Sequence, residues 1–374
     1  MSKALMTQLQ HGAGHARIWV LTEGRAGDNA QVIALARALE LPFRVLALEG
    51  NTVPRMILDR IEDFLGLDRK PLRLPADAPE AWPDLVIGIA GGSVSTVRRV
   101  VHVSGGVTHS VQLGRPVASL RCFDLVVTTP QYGLPEAPNV LNARLPFGIT
   151  TSDPEHTAFW SEKLSKMPRP WTALLVGGNS GSYRLGNEAF KRIVETATRA
   201  VSRGGSILAT TSPRTPSFVA DALREALPAP NFVHAYEPGD PSNPYSAFLD
   251  LADHFVVTGE SASMIADAVK TRRSVEIVIL DPRWLSRLLV GLHRSATRLA
   301  GGLTRALTLR GLWVPPRDLE AFHERLFTVE AAGGCDAASP TDDQRVLARV
   351  RALIEPTDEP AAKPWPRPVV GATE

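Results

Sequence analysis

The chain has 374 residues, of which 44% are hydrophobic and 21% are charged, and its formal net charge is +2. This length favours two domains, and the composition is that of an ordinary globular protein with a sizeable core. So small a charge argues against a nucleic-acid-binding protein, and the two cysteines, Cys122 and Cys335, have neither metal-site nor disulfide-scaffold spacing.

The first half of the chain alternates short apolar runs with helical patterns. We expect residues 1–16 to be flexible, and they contain no apolar core of a signal peptide. Strands are then predicted at residues 17–22, 43–48, 84–90, 110–113 and 124–128, and helices at residues 28–40, 53–65 and 93–103. Continuous Val, Ile and Leu runs between helices indicate a parallel sheet covered on both faces, so residues 17–149 are predicted to form an α/β domain.

A second α/β pattern follows a break. Residues 150–170 carry little strand periodicity and close with prolines, and we interpret them as a linker. Strands are predicted at residues 172–176, 206–211, 231–236, 255–258 and 275–280, with helices at 186–201, 216–226, 243–252 and 261–270. The sequence therefore predicts two Rossmann-like, doubly wound α/β domains that face a cleft, the second spanning residues 171–282.

The remainder is predicted to be a helical segment, residues 283–354, and a disordered, proline-containing tail, residues 355–374. Four arginines in the helical segment are spaced by seven, four and seven residues and would share one helical face: Arg287, Arg294, Arg298 and Arg305. They would either form a solvated face or contact anionic lipid headgroups. The pair Gly301-Gly302 interrupts this helix. No apolar run reaches about 18 residues, the length of a membrane-spanning helix, so we expect a cytoplasmic protein and leave peripheral contact at the inner membrane face open.

Loops at the carboxyl ends of the strands are the candidate binding sites, because open parallel sheets bind ligands there. Small and polar residues fill two such loops in the first domain: Gly24, Arg25, Gly27, Asp28 and Asn29, then Gly91, Gly92 and Ser93. Three more lie in the second domain: residues 177–182, 211–214 and 258–263. Together they suit a polyanion, since helix N-termini and the Arg214 guanidinium attract phosphate, although each loop alone also fits a plain turn.

A hydrolase is the minor alternative. Residues 259–263, GESAS, nearly match a G-x-S-x-G nucleophile elbow around Ser261, and Asp281 and His293 or His323 follow in hydrolase order. Ser263 replaces the last glycine, however, and no HGGG-type segment precedes the elbow. No metal site is predicted, because the nine histidines form no H-x-x-x-H pair with acidic support.

Six ordered segments resemble the bacterial branch of the mitochondrial-fission ELM ("elongated mitochondria") family, over roughly residues 17–330. They are GRAGDNAQVIALARAL (24–39), PDLVIGIAGG (83–92), FDLVVTTPQYGLPEAPNVL (123–141), LLVGGNSGSYRL (174–185), TTSPRTP (210–216) and VTGESASMIADA (257–268). That family in turn resembles the GT-B glycosyltransferases, particularly the enzyme that adds N-acetylglucosamine to the peptidoglycan lipid intermediate. The resemblance implies a GT-B-like fold.

The resemblance also implies roles for individual residues. A nucleotide diphosphate would lie against Gly177, Gly178, Asn179, Ser180, Gly181, Ser182, Arg214, Ser261 and Ser263. Asp267 takes the position of a ribose-binding carboxylate, although Ser274 stands where the glycosyltransferases have a proline. Asp28 and Asn29 replace a histidine of those enzymes, so Asp28 would be the base for an acceptor hydroxyl.

Two functions follow from this resemblance. The first is a glycosyltransferase that uses a nucleotide-diphosphate sugar, without metal or other cofactor, on a cell-envelope or lipid-linked acceptor. The second is a non-catalytic, membrane-peripheral adaptor on a degenerate GT-B fold.

Overall fold

The computed structural model describes residues 17–23, 26–48, 81–148, 153–331 and 341–355. They fall into two compact units. The first unit is built from Leu9–Ile149 together with Val290–Glu374, and the second unit is built from Thr150–Leu289. Each contains one parallel sheet with helices.

The first unit has a six-stranded parallel sheet in the order β2-β1-β3-β4-β5-β6. Its strands are β1 (Ile18–Thr22), β2 (Phe43–Ala47), β3 (Leu85–Ile89), β4 (His109–Leu113), β5 (Leu125–Thr128) and β6 (Val140–Asn142). The first two helices are α1 (Ala26–Ala38) and α2 (Val94–Val103). Every residue of β1 and β3 is buried, as expected for strands covered on both faces. The short β6 was not predicted, and the predicted helix at 53–65 lies outside the described residues.

Helices from both ends of the chain cover this sheet. On one face, Val32, Leu35 and Ala36 of α1 share a buried cluster with Val346 and Val350. The last two belong to the C-terminal helix α10 (Asp342–Ile354). The other face packs against the apolar side of α2, formed by Val94, Val97, Val100 and Val101. Part of the predicted separate segment 283–354 therefore contributes to the core of the first unit.

The second unit has a five-stranded parallel sheet in the order β10-β9-β7-β11-β12. The strands are β7 (Trp171–Val176), β9 (Ser206–Thr211), β10 (Asn231–His234), β11 (His254–Thr258) and β12 (Ser274–Val278). The helices between them are α4 (Asn187–Ala200), α5 (Phe218–Ala226), α6 (Tyr245–Leu251) and α7 (Ala262–Lys270). A short antiparallel pair, β8 (Tyr183–Arg184) with β13 (Asp281–Pro282), lies beside it. The prediction of two Rossmann-like α/β domains is confirmed, while their placement across a cleft stays a prediction.

The predicted linker contains a helix, α3 (Pro154–Leu164). Asp153 caps it, because its carboxylate accepts hydrogen bonds from the backbone N–H groups of Glu155 (3.2 Å) and His156 (3.3 Å). Trp160 is buried, with its ring centre 5.4 Å from that of Phe232. Residues 153–164 are thus an integral part of the second unit, and Pro154 is the first residue of this helix, a position that tolerates proline.

A kinked helix, α8 (Trp284–Leu309), precedes α9 (Leu319–Ala331). The backbone at Ala300 is non-helical (φ −141°, ψ 51°), so the arginines before and after it do not share one continuous helical face, as the sequence spacing had suggested. Arg294 donates to both carboxylate oxygens of Asp318 (2.7 and 2.9 Å). Arg305 donates to the Glu136 carbonyl (2.7 Å), whereas Arg287 and Arg298 are exposed.

Each sheet has one point where the strand order reverses. In the first unit it lies between β1 and β3, and in the second it lies between β7 and β11. Such a switch point opens a crevice at the carboxyl ends of the strands, which is where open α/β sheets bind ligands. The loops that follow these four strands therefore form the candidate sites.

Candidate functional site

Three of the predicted loops meet at the switch point of the second unit. The Gly177 N–H donates to Thr258 Oγ1 (2.7 Å), and the Gly178 N–H donates to Glu260 Oε1 (2.6 Å). From the loop after β9, Thr215 Oγ1 donates to the Gly177 carbonyl (2.6 Å). The structure thus brings together residues 177–182, 211–215 and 258–263, which are far apart in sequence.

The two glycines that open the first of these loops are required by packing. A Cβ atom at Gly177 would lie 1.7 Å from Glu260 Oε1, and one at Gly178 would lie 2.1 Å from the Arg214 carbonyl oxygen. Their N–H groups are already engaged, so in this arrangement they are not donors to a phosphate. Gly181 differs, since a Cβ atom there would meet nothing within 4 Å and the residue is exposed. The open part of the loop is therefore its tip.

Side chains of the same loop stabilise its turn. Asn179 Oδ1 accepts from the Leu185 N–H (3.0 Å). Ser180 Oγ accepts from the N–H groups of Ser182 (3.3 Å) and Tyr183 (3.0 Å). These bonds give the loop a defined shape without a ligand, which lowers the ordering cost of binding one.

Glu260 is the residue at this site that the sequence analysis did not single out. Its side chain is fully buried, and burial raises the pKa of the carboxyl, although the charge of Arg214 acts against that shift. Arg214 Nη2 lies 3.9 Å from Glu260 Oε1, and the arginine side chain is 41% exposed. Because a guanidinium has five N–H donors, Arg214 can face Glu260 and still bind an anion from solvent. The only sequence signal was a carboxylate two residues after an apolar strand.

The remaining predicted residues lie at the start of α7. Ser261 is the buried residue before the helix, and Ser263 lies half-buried in its first turn. Asp267, one turn further on, accepts a 2.7 Å hydrogen bond from Tyr245 Oη. Burial raises the pKa of Tyr245 well above its usual value, and the neighbouring Asp267 charge adds to the shift. One oxygen of the Asp267 carboxylate, which was predicted to bind a ribose, thus accepts a hydrogen bond from a tyrosine that the sequence analysis missed.

At the switch point of the first unit, two residues predicted to bind the acceptor instead form hydrogen bonds within their own loops. Asn29 accepts from the Glu23 N–H (2.9 Å) and donates to the Glu23 carbonyl (2.5 Å). The buried Ser93 hydroxyl accepts from the Ile89 N–H (2.9 Å) and donates to the Ile89 carbonyl (2.8 Å). A Cβ atom at Gly92 would lie 2.4 Å from the Glu23 carboxylate oxygens. This glycine faces a carboxylate, as Gly177 does in the second unit.

The other acceptor-side candidates lie around the same point. Gly27 and Asp28 are in the first turn of α1, with Asp28 half-buried, and Gly91 is half-buried after β3. Gly24 and Arg25 lie outside the described residues. Between β3 and Gly91, Ala90 has a left-handed backbone (φ +57°), which costs a non-glycine residue about 1–2 kcal/mol. Gln112 Nε2 donates to its carbonyl (2.8 Å) and so holds this turn.

Two of the residues that the hydrolase alternative would use, Asp281 and His293, contact other side chains. Asp281 forms a 2.7 Å ion pair with Arg192, and His293 Nδ1 accepts from Trp313 Nε1 (3.0 Å). Within the part of the chain that the structure describes, no group of three or more His, Cys, Asp or Glu side chains could hold a metal ion. In that same part, none of the helices combines the length and apolar character needed to cross a bilayer.

Residues 26–310 match the family described as mitochondrial fission ELM1. The chain belongs to this family. It is 24% identical over 223 residues to the mitochondrial fission protein ELM1 of Arabidopsis thaliana, with 53% of this chain and 52% of the plant protein aligned. This ELM1-family chain thus spans about half the length of the curated relative it matches. The predicted family is confirmed.

Three solved structures illustrate what this ELM1-family chain is similar to in fold. S. aureus MnaA, in a co-structure with UDP, has a TM-score of 0.46 and 11% identity, covering 88% of this chain and 100% of MnaA. The UDP-GlcNAc 2-epimerase from Methanocaldococcus jannaschii has a TM-score of 0.44 and 12% identity, covering 90% and 99%. The E. coli ADP-heptose LPS heptosyltransferase II has a TM-score of 0.40 and 14% identity, covering 70% and 84%.

Proposed function

We propose that this ELM1-family chain binds a nucleotide-diphosphate sugar at the switch point of the second unit and transfers its sugar. The observation that carries the proposal is the convergence of three loops on Glu260 and Arg214. Gly178 and Arg214 both approach the buried Glu260 carboxylate, and Arg214 keeps a solvent-facing part. A half-exposed guanidinium at a switch point suits a diphosphate.

The neighbouring residues supply the rest of the nucleotide site. The N-terminus of α7, with Ser261 and Ser263, offers N–H groups and a positive helix dipole to the diphosphate. Asp267, which accepts a hydrogen bond from Tyr245, would also accept one from a ribose hydroxyl. Gly181, at the exposed tip of its loop, leaves room for the ligand.

Transfer would need no metal or other cofactor. An acceptor hydroxyl gives its proton to Asp28 and attacks the anomeric carbon of the sugar, while the bond from that carbon to the diphosphate oxygen breaks. The nucleoside diphosphate leaves with the bonding electron pair, and Arg214 stabilises its negative charge. The loops with Gly24, Arg25, Gly27, Asn29, Gly91, Gly92 and Ser93 would hold the acceptor.

Calorimetric titration with UDP-, ADP- and GDP-sugars tests the proposal. We expect one nucleotide to bind and Arg214→Gln to weaken it by about 10- to 100-fold, since a charge-assisted hydrogen bond contributes about 1.5–3 kcal/mol. Arg203→Gln is the matched control, because Arg203 is exposed and lies just before β9, at the amino ends of the strands and not at their carboxyl ends. Absence of heat with every nucleotide sugar, in a folded protein, would refute the proposal.

A non-catalytic adaptor at a membrane surface is the second candidate, and α8 favours it. Apolar side chains at helical spacing are exposed on its first half: Trp284, Leu285, Leu288, Leu289 and Leu292. Trp284 is 76% exposed, and Arg287 and Arg298 are exposed as well. The helix carries four arginines and no acidic residue. An apolar face with flanking arginines fits the interface of an anionic bilayer.

Vesicle sedimentation and complementation separate the two candidates. Binding to phosphatidylglycerol vesicles should fall with Leu288→Ser/Leu292→Ser and, at low salt, with Arg287→Gln/Arg298→Gln, but not with Arg203→Gln. If Arg214→Gln abolishes complementation while vesicle binding persists, a pure adaptor role fails. If Arg214→Gln complements fully and the Leu288→Ser/Leu292→Ser variant does not, the adaptor role is the better account.

A further inference from the structure

A second arginine lies against the tip of the glycine-rich loop of the second unit, residues 177–182. Arg283, the residue directly before α8, donates through Nε to the Ser180 carbonyl (3.2 Å). Its backbone N–H donates to the Ser182 carbonyl (2.8 Å). Both the backbone and the side chain of Arg283 are therefore bound to this tip, although 103 positions separate Arg283 from Ser180 in the sequence.

The short antiparallel pair of β8 and β13 explains why Arg283 reaches the loop. Tyr183, the residue after the loop, pairs with Pro282, the residue before Arg283. Tyr183 is buried, whereas Arg283 is exposed. The strand pair thus fixes the backbone of Arg283 beside the loop and leaves its guanidinium in contact with solvent.

The positive charge of Arg283 is not neutralised by a carboxylate. Within the described residues Arg283 forms no ion pair, and Asp281, the acid nearest to it in sequence, is bound by Arg192 (2.7 Å) instead. The bond to Ser180 uses one of the five N–H donors of the guanidinium, so the donors on its two terminal nitrogens remain for a ligand. Arg283 can therefore hold the loop and bind an anion at the same time.

Arg214 and Arg283 contact consecutive residues of this loop. The Asn179 N–H donates to the Arg214 carbonyl (3.1 Å), and the next residue, Ser180, accepts from Arg283. Two residues of extended chain span at most about 7 Å, so these two contacts lie close together. Next to them Gly181 is exposed, and a Cβ atom there would meet nothing within 4 Å. Two arginines thus contact a loop whose tip is open to a ligand.

The charge of the proposed ligand calls for a second cation. The diphosphate of a nucleotide sugar carries two negative charges, and Arg214 supplies a single positive charge. Arg214 Nη2 also lies 3.9 Å from Glu260 Oε1, so an ionised Glu260 offsets part of that charge. The leaving nucleoside diphosphate gains a further negative charge during transfer. Arg283, which has no carboxylate partner within the described residues, supplies the charge that Arg214 alone lacks.

We propose that Arg283 binds the diphosphate of the nucleotide sugar together with Arg214. This role rests on the function proposed above, and it adds a residue outside the loops at which the second unit was expected to bind its ligand. With Nε bound to the loop, the two terminal nitrogens present a planar fork that matches two phosphate oxygens. When the sugar is transferred, both guanidinium groups stabilise the charge of the leaving diphosphate.

Inorganic pyrophosphate and inorganic phosphate are the probes, because neither depends on the identity of the base or the sugar. In calorimetric titrations we expect the wild type to bind pyrophosphate at least tenfold more tightly than phosphate, since pyrophosphate can contact both arginines. Arg283→Gln should weaken pyrophosphate by about tenfold, the loss of one charge-assisted hydrogen bond. Arg203→Gln removes the same charge at the amino ends of the strands and should leave the affinity unchanged.

The ratio of the two affinities separates a ligand contact from a structural role. If Arg283 only held Ser180 in place, Arg283→Gln would weaken pyrophosphate and phosphate by the same factor, which would overturn the proposal. As a phosphate ligand, Arg283 contributes most to the probe that spans both arginines, so Arg283→Gln should lower the ratio of pyrophosphate affinity to phosphate affinity. Arg283→Lys keeps the charge and should retain more of that ratio than Arg283→Gln does.

The same titrations distinguish failure of this role from failure of the proposed function. Unchanged pyrophosphate affinity in Arg283→Gln, with a loss in Arg214→Gln, would overturn the role of Arg283 and leave the nucleotide site in place. If both variants weaken pyrophosphate but the wild type binds no nucleotide sugar, the proposed function fails and Arg283 remains an anion-binding residue. A folded wild type that binds neither pyrophosphate nor any nucleotide sugar would overturn both.

Discussion

Gly178→Ala tests whether the glycine-rich loop after β7 is required by its own packing or by a ligand. The added Cβ would lie 2.1 Å from the Arg214 carbonyl oxygen and 2.5 Å from the Thr215 nitrogen. Ordinary contact begins at 3.4 Å, so the Arg214–Thr215 backbone must move by about 1.3 Å. Both contacts are with backbone atoms, which cannot rotate away as a side chain would.

The cost follows from what that movement breaks. The Asn179 N–H donates to the Arg214 carbonyl (3.1 Å), and Thr215 Oγ1 donates to the Gly177 carbonyl (2.6 Å). Losing these two hydrogen bonds costs about 1 kcal/mol each, and overpacking adds about 1–3 kcal/mol. The variant should therefore lose about 3–5 kcal/mol, which lowers the Tm of the second unit by roughly 6–20 °C.

Gly181→Ala is the matched control in the same loop. Its Cβ meets nothing within 4 Å, and no left-handed backbone is required there, so we expect a change in Tm within about 2 °C. Calorimetric or circular-dichroism melting of both variants, beside the wild type, measures the difference. If Gly178→Ala melts like the wild type but loses nucleotide affinity, Gly178 serves the ligand and the packing argument is wrong.

Three further predictions concern Glu260, Tyr245 and α3. The raised pKa of Glu260 means that the folded state binds this proton more tightly than the unfolded state, in which the pKa is near 4.5, so stability falls as pH rises through the folded pKa. Glu260→Gln keeps an acceptor for the Gly178 N–H and should flatten this pH dependence in urea unfolding measured from pH 4 to 8. A pH dependence unchanged from the wild type would contradict this expectation. Tyr245→Phe removes the 2.7 Å bond to Asp267 and should cost about 1.5–3 kcal/mol in the same assay, whereas Tyr236→Phe should cost less. Asp153→Ala removes the cap of α3 and should cost about 1 kcal/mol, against no measurable change for Glu162→Ala on the exposed side of that helix; equal losses would show that the cap is not the cause.

Local sequence patterns predicted most strands of both sheets but missed β6, helix α3 and the packing of α10 against the first sheet. The run DLVIGIA is apolar because both faces of β3 are covered, whereas VEIVIL contains the edge strand β12, in which only Val278 is buried. Helix α3 was missed because weak strand periodicity and the closing prolines led us to interpret residues 150–170 as a linker, although Asp153-Pro154 caps and starts a helix. The packing of α10 beside α1 joins residues over 300 positions apart, and no local pattern reports such a contact.

The sequence likewise predicted only part of the candidate site. Strand-end loops were predicted in the right places because the topology of a parallel sheet fixes its ligand edge. The partners within those loops were not, since the Gly177 N–H bonds Thr258, 81 residues away, and the Gly178 N–H bonds Glu260, 82 residues away. A carboxylate in a glycine-serine loop is ordinarily exposed, so nothing in the sequence marked Glu260 as buried.

Both switch points place a carboxylate against a glycine of the neighbouring strand's loop. In the first unit Glu23 faces Gly92, and in the second Glu260 faces Gly177, with β1 beside β3 and β11 beside β7. A glycine at such a position admits a carboxylate of the chain itself, so glycine content alone does not indicate a phosphate. In the proposed nucleotide site, the group at this edge of the sheet that would favour an anion is therefore the half-exposed Arg214 guanidinium. For this reason Arg214→Gln, rather than a glycine variant, is the test of whether the second unit binds a diphosphate.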